Sequence, residues 1–271
     1  PVPAMREIPL RLATATGEFA GRRPVAVVSA VGFCFVVVPA LGIAILRCGN
    51  AMVMSFFRGD GSGGVTESVD RQITEMLGAC RHSFDLAMSA LVADDNITAI
   101  GDDVHETDDQ VNELEETVRR ELVVHAAVHG QADMTLTMPS LLVVKRLERV
   151  GDQCKNIFGM ANQGVRFTTA PDRDVFDEDR RLISAMFGTT AEVMASRNLD
   201  AVEAFSADAE ALMAELEDRV FQLMTSDKPS SFGVPRAMLA RYSKRIVANL
   251  EGSARTVSVP LTGTEPTDLD E

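Results

Sequence analysis

From Val69 to Leu91 the apolar residues Val69, Ile73, Leu77, Cys80, Phe84, Met88 and Leu91 recur at spacings of four, four, three, four, four and three. That rhythm puts them on one face of a long amphipathic helix and rules out a strand. The same rhythm continues in two further segments. One carries Ile97, Ile100, Val104, Val111, Leu114, Val118 and Leu122; the other carries Leu136, Val143, Leu147, Val150, Cys154, Ile157 and Ala161. Gly164 through Arg173, with Pro171, reads as a connector. The pattern then restarts, predicting helices at about 174–197, 199–226 and 233–258. Trp is absent and Tyr occurs once, too few aromatic residues for a β-rich domain of this length. The fold class expected is therefore all-α.

The restart is an internal repeat. Asn112-Glu113-Leu114-Glu115-Glu116-Thr117-Val118 aligns with Ala214-Glu215-Leu216-Glu217-Asp218-Arg219-Val220, and Lys145 to Val150 aligns with Arg241 to Ile246. Two three-helix units packed as a bundle is the architecture this predicts, over residues 65–258 with repeats 65–163 and 174–258. A polar acidic tail, 259–271, should be disordered.

Charge divides the chain differently. Its formal net charge is −14, yet residues 1–58 hold six Arg against two Glu, a net +4 that leaves −18 for the rest. An acidic body of this kind lacks the basic stripe a nucleic-acid binder needs. Pro24–Leu46 contains no charged residue over 23 positions and is closed by Arg22, Arg23 and Arg47. As a helix it would reach about 34 Å, enough to cross a bilayer core. We therefore expect a transmembrane helix there, kinked at Pro39 and preceded by an interfacial helix bearing Met5, Ile8, Leu12 and Ala15, the whole spanning 1–58. A start at Pro1 without Met, and a lone kinked span, suggest the C-terminal portion of a larger membrane protein. Residues 59–64 read as a flexible linker rather than a nucleotide loop, since no strand precedes them and the spacing is wrong. The four Cys, without CxxC spacing, read as free thiols of a cytosolic body.

Four residues stand out as candidate ligands. Glu148 and Asp152 lie four apart on the third helix, where like charges repel unless something offsets them. Gly151 between them sacrifices about 1 kcal/mol of helix propensity and permits close approach. Asp108 interrupts the apolar stripe between Val104 and Val111, and Asn112 extends the break one turn on. Antiparallel helices would bring 108/112 to face 148/152, an all-oxygen set suited to a hard divalent or trivalent cation. The alternative is a solvated acidic seam. His125 and His129 have a zinc-compatible spacing, but beside Gly130 they read better as an exposed helix end.

The string Glu148-Arg149-Val150-Gly151-Asp152-Gln153-Cys154-Lys155-Asn156-Ile157 resembles the signature of PhoU-like proteins, which regulate phosphate uptake, and Asp108 to Glu115 is similar to the partner motif of that family. The resemblance covers about residues 65–258. It implies paired three-helix bundles whose motif carboxylates hold metal, here iron, zinc, manganese or magnesium at Asp108, Asn112, Glu148 and Asp152. Asn112 departs from the usual carboxylate. In the second repeat, Lys244 to Ala248 holds none and Glu210 to Ala214 keeps one, so no second cluster is expected.

Ile8-Pro9-Leu10, the apolar run with its internal Pro, and Ala240 to Ile246 further resemble the C-terminal end of bacterial type II sodium/phosphate cotransporters. That implies a sodium-dependent phosphate symporter whose last span and regulatory domain this chain supplies. The complete protein would be multi-pass in the inner (plasma) membrane, with lipid and upstream transmembrane helices as neighbours and the helical domain cytoplasmic. The positive-inside count taken alone would put the body outside; the resemblance overrides it. A homodimer is compatible with this reading and nucleic acid is not. No nucleophile–base set, phosphate loop or dinucleotide motif is present, so no enzyme is expected. Two rivals remain: a membrane-tethered PhoU-like regulator of a separate transporter, and a one-span helical signal transducer without metal. Breaks at Asp94–Asp95, Gly130 and Pro171 count against the second, which needs uninterrupted heptads.

Overall fold

The computed structural model describes residues 27–29, 33–37, 43–47, 63–93, 96–129 and 134–258. The chain divides into two units, Pro1–Met52 and Val53–Glu271. The interfacial lead-in over 1–23, linker residues 59–62 and the tail over 259–271 lie outside the described residues.

The first unit corrects the transmembrane helix expected over Pro24–Leu46. The described residues there form strands β1 (Val27–Ser29), β2 (Phe33–Val37) and β3 (Ile43–Arg47), paired antiparallel in the order β1-β2-β3. Val28 pairs with Cys34, and Cys34 with Leu46. The physical reason lies in the residue types. The run is rich in Val and Phe, which favour extended backbone, and Gly32, Pro39 and Gly42 fall between the strands. Proline inside a helix also removes a hydrogen bond that a strand connection does not need. Among the described residues no helix is long and apolar enough to cross a membrane.

The described part of the second unit consists of six helices: α1 (Gly63–Val92), α2 (Ile97–His129), α3 (Met134–Asn162), α4 (Arg173–Ser196), α5 (Leu199–Met224) and α6 (Ser230–Ser258). Helix α1 takes in Gly63 and Gly64 because Val65 already packs on the core one turn above Val69. Asn96 starts α2 by accepting from Thr98 N, and Asn198 starts α5 by accepting from Asp200 N at 2.9 Å. Helix α4 stops at Arg197, which adopts left-handed φ of 51° and returns its N–H to Val193 O.

All seven residues of the first stripe are buried, as are Ile100, Val104, Val111, Val118 and Leu122 on α2 and Val143 through Ala161 of the third stripe; Ile97 and Leu114 are partly buried. The side chain of Leu136 lies outside the described residues. Helices α1, α2 and α3 pack on one another, and α6 packs on α4 and α5. The two triplets join where α3 meets α6 and α1 meets α4. Phe84 and Phe187 make the second junction, with ring centroids 6.0 Å apart. At the first, Arg146 lies against Gly252, while Gln163 and Gly164 line one cavity with Ser231 and Pro235. The middle of α3 thus meets late α6, and the residues just past the end of α3 meet early α6, so the two helices run antiparallel. The repeat extends to its irregularities: Pro139 in α3 and Pro235 in α6 occupy equivalent positions six residues into each helix.

The connector between triplets is pinned at both ends. Phe167 N donates to Leu91 O at 2.7 Å, and the Phe167 ring stacks on Phe176 at 4.4 Å. Arg236 lies over Phe232 at 3.7 Å and grips Asp172 through two hydrogen bonds of 2.7 and 2.8 Å. That grip holds the Asp172 carboxyl below its usual range.

Candidate functional site

The seam between α2 and α3 carries all four candidate ligands. Asp108 is the least exposed of the first group, its side chain 12% accessible, because it sits among the core positions of α2. Asn112 Nδ2 donates to Asp108 Oδ2 at 3.2 Å. Lys155 Nζ bridges the helices, 2.9 Å from Asp108 Oδ2 and 3.2 Å from Asp152 Oδ1. Gly151 is where the close approach occurs: a β-carbon there would stand 3.7 Å from both Asp108 Oδ1 and Val111 Cγ1.

One turn along, Glu148 Oε2 is buried and lies 2.8 Å from Lys145 Nζ, which also stands 3.8 Å from Glu115 Oε1. Arg119 holds Glu115 from the other side at 3.2 Å. The structure therefore gathers Asp108 and Asp152 around Lys155, with Asn112 bonded to Asp108, and joins Glu148 to Glu115 around Lys145. Among the described residues no three His, Cys, Asp or Glu side chains form a group that could hold a metal ion. The donor chemistry suits a hard cation, but in this arrangement ammonium groups supply the offsetting charge.

Hydrogen bonding to Glu148 keeps the Lys145 ammonium above the ordinary lysine range. For Lys155 burial opposes the charge, yet Asp108 and Asp152 together raise it. A lysine raised on folding stabilises at every pH below its unfolded value and loses that contribution only as pH climbs through the folded one. Both bridges thus persist across the neutral range.

The floor of the seam is sulfur. Cys80 Sγ on α1 donates to Leu147 O at 3.3 Å, and Cys154 Sγ lies 3.8 Å from Cys80 O. Both thiols are free and fully buried. Burial, aided by Asp108 and Glu148, pushes the Cys80 thiol up to about 12, and burial likewise raises Cys154. Neither supplies a thiolate at neutral pH.

Three seam residues escaped sequence reasoning: Glu115, Lys145 and Lys155. Lys145 precedes Glu148 by three positions and Lys155 follows Asp152 by three, a helical-neighbour signal that was available. His125 is a correction. It is 3% exposed rather than at an open helix end, because it continues the buried line of Val118 and Leu122 by one more turn. The side chain of His129 lies outside the described residues.

The second repeat offers a comparison within the molecule. Lys244 occupies the position equivalent to Glu148, and its Nζ lies 2.6 Å from Glu217, the equivalent of Glu115. Lys244 holds the Glu217 carboxyl below its usual range. In this repeat a lysine stands directly in a ligand position.

Substituting Gly151→Ala tests the close approach. At 3.7 Å the added methyl makes ordinary contact, so helix propensity should win and stability rise by up to about 1 kcal/mol in a denaturant melt. Gly151→Leu should instead push on Asp108 and destabilise. Equal effects from both would mean that α2 does not press on this position.

Comparison with known proteins bears on the domain and its fold. Residues 73–160 match the family model described as "PhoU domain", a segment running from α1 through both seam motifs into late α3. No match was found among curated proteins. Among solved structures, the chain is similar to the crystal structure of PhoU from Pseudomonas aeruginosa, with a TM-score of 0.60 and 19% identity over 71% of this chain and 95% of that one. At that identity the likeness is one of fold: a PhoU-like arrangement of six helices.

Proposed function

We propose that this chain regulates phosphate uptake without catalysing a reaction, and that the α2–α3 seam is its responsive element. The observation that carries the reading is the PhoU domain match over residues 73–160, which contains Asp108, Asn112, Glu148 and Asp152 together. The finer reading attaches this domain to a sodium-dependent phosphate transporter of the plasma membrane, with the helical body on the cytoplasmic side. It rests on the sequence resemblance of Ile8-Pro9-Leu10 and of Ala240 to Ile246; the apolar run, whose described residues are strands, does not add to it. Phosphate uptake measured with radiolabelled phosphate, in cells carrying the complete gene and in cells lacking it, tests both levels. Uptake that loses its dependence on external sodium identifies the transporter. Uptake that keeps sodium dependence but loses its restraint at high phosphate identifies a regulator of a separate transporter. Identical uptake in the two strains removes the reading.

Within the seam, Asp108, Asn112, Glu148 and Asp152 are the groups that would hold a cation such as iron, zinc, manganese or magnesium. A bound cation supplies the positive charge that Lys145 and Lys155 otherwise provide. Lys155→Met separates the two roles. If the seam is a cation site, removing its internal competitor should tighten divalent-cation binding about tenfold by calorimetry and make the melting temperature respond to chelator. If the seam is a structural ion-pair network, the same change should lower stability by no more than about 1 kcal/mol, with no rescue by any cation.

A further inference from the structure

The third helix of each repeat carries an exposed ridge of which the α2–α3 seam uses only Lys145. On α3 it runs Met138, Leu142, Lys145, Arg149, and on α6 it runs Val234, Met238, Arg241, Arg245. The spacing is four, three and four in both, so each set lies on one helical face. The positions are equivalent between repeats, and all eight residues are exposed. The four apolar members are 43%, 47%, 57% and 38% accessible. An isolated exposed Met or Leu needs no explanation, but an apolar pair exposed at the same two positions of both repeats does.

The charges are as informative as the apolar pairs. The chain has 40 acidic residues against 26 basic ones, so an arginine should readily find a carboxylate. Lys145 does, through Glu148 and Glu115. Among the described residues, Arg149, Arg241 and Arg245 have no carboxylate within ion-pair distance, although carboxylates hold most other cations of the helical body.

We infer that these ridges are docking surfaces for an acidic amphipathic helix of a partner protein. Apolar residues of that helix would cover Met138 and Leu142, or Val234 and Met238, and its carboxylates one to two turns on would meet the free arginines. Met138 and Arg149 are eleven residues apart, about 16 Å along the axis, which a partner helix of about three turns matches. Charge complementarity sets the choice of occupant. A bilayer rich in anionic lipid presents an extended negative plane to the whole body, whose net charge is strongly negative, and is repelled. A single short helix is felt only within about 8 Å at physiological salt, where the ridge arginines dominate. A second copy of this chain would offer mainly basic residues to basic ones if like ridges met.

The test is photo-cross-linking in cells, using the complete gene with a benzophenone amino acid placed at Leu142 or at Met238 and the joined peptide sequenced by mass spectrometry. The expected product is a segment of another protein with apolar residues at helical spacing followed by Asp or Glu. Arg149→Glu should reduce the Leu142 product at least tenfold and Arg245→Glu the Met238 product, while circular dichroism of each variant stays unchanged. Both arginines are exposed, so folding should survive. A product with lipid, with a second copy of this chain, or with a segment lacking carboxylates would overturn the inference. So would a product insensitive to charge reversal, or no product at either site.

Discussion

Replacing Phe84 by alanine is expected to be the most damaging single truncation in the helical body, costing about 3–5 kcal/mol in a urea melt. Phe84 is fully buried on α1 and faces Phe187 on α4, so its loss opens a cavity at the junction of the two triplets rather than inside one of them. With both repeats depending on that contact, the melting temperature should fall by about 10 °C. Phe84→Leu, which keeps most of the volume, should cost about 1 kcal/mol. A loss below 1 kcal/mol for Phe84→Ala would show that α1 and α4 repack freely, and that the junction rests on α3 and α6 alone.

A loss of about 3 kcal/mol is expected for Asp179→Ala, by a different mechanism. Asp179 on α4 is 5% exposed and takes two hydrogen bonds from Arg219 on α5, of 2.5 and 2.9 Å. Removing the carboxylate leaves a guanidinium that is only 21% exposed with Glu215 as its remaining partner. The double change Asp179→Ala with Arg219→Met should restore much of the stability, since taking both charges away costs far less than stranding one. A double-mutant cycle by chemical denaturation measures this directly. Additive losses would mean that the pair does not act as a unit.

Much of the helical architecture was legible because its signal is periodic. The stripe from Val69 to Leu91 repeats with such regularity that no other structure buries it, and the buried positions are the ones the spacing selects. The N-terminal run was not legible for the converse reason. Twenty-three uncharged residues have no polar face to set a period, so the run reads equally as one helix or as several strands. Only its Val content and the placement of Gly32 and Pro39 favour strands, and the length argument masked them. The candidate site was legible in part. Asp108 announces itself by interrupting an apolar stripe and Glu148 with Asp152 by their four-residue spacing, whereas the reach of Lys155 to Asp108 depends on how two helices face each other across 47 positions of sequence. His125 was misjudged because a helix end was inferred from Gly130, while the packing of α2 carries the buried line past Leu122.

Pro139 and Pro235 have a further effect. Having no N–H, neither can bond the carbonyl four residues before it, so the opening turn of α3 and that of α6 are each tied to the helix behind by one backbone link fewer. The two prolines sit next to Met138 and Val234, at the start of each exposed ridge. The bundle therefore carries, at equivalent points of its two halves, an opening turn with one backbone hydrogen bond fewer than the rest of its helix. Where the two ridges begin, unwinding the first turn of α3 or α6 thus costs one backbone hydrogen bond less than unwinding any later turn.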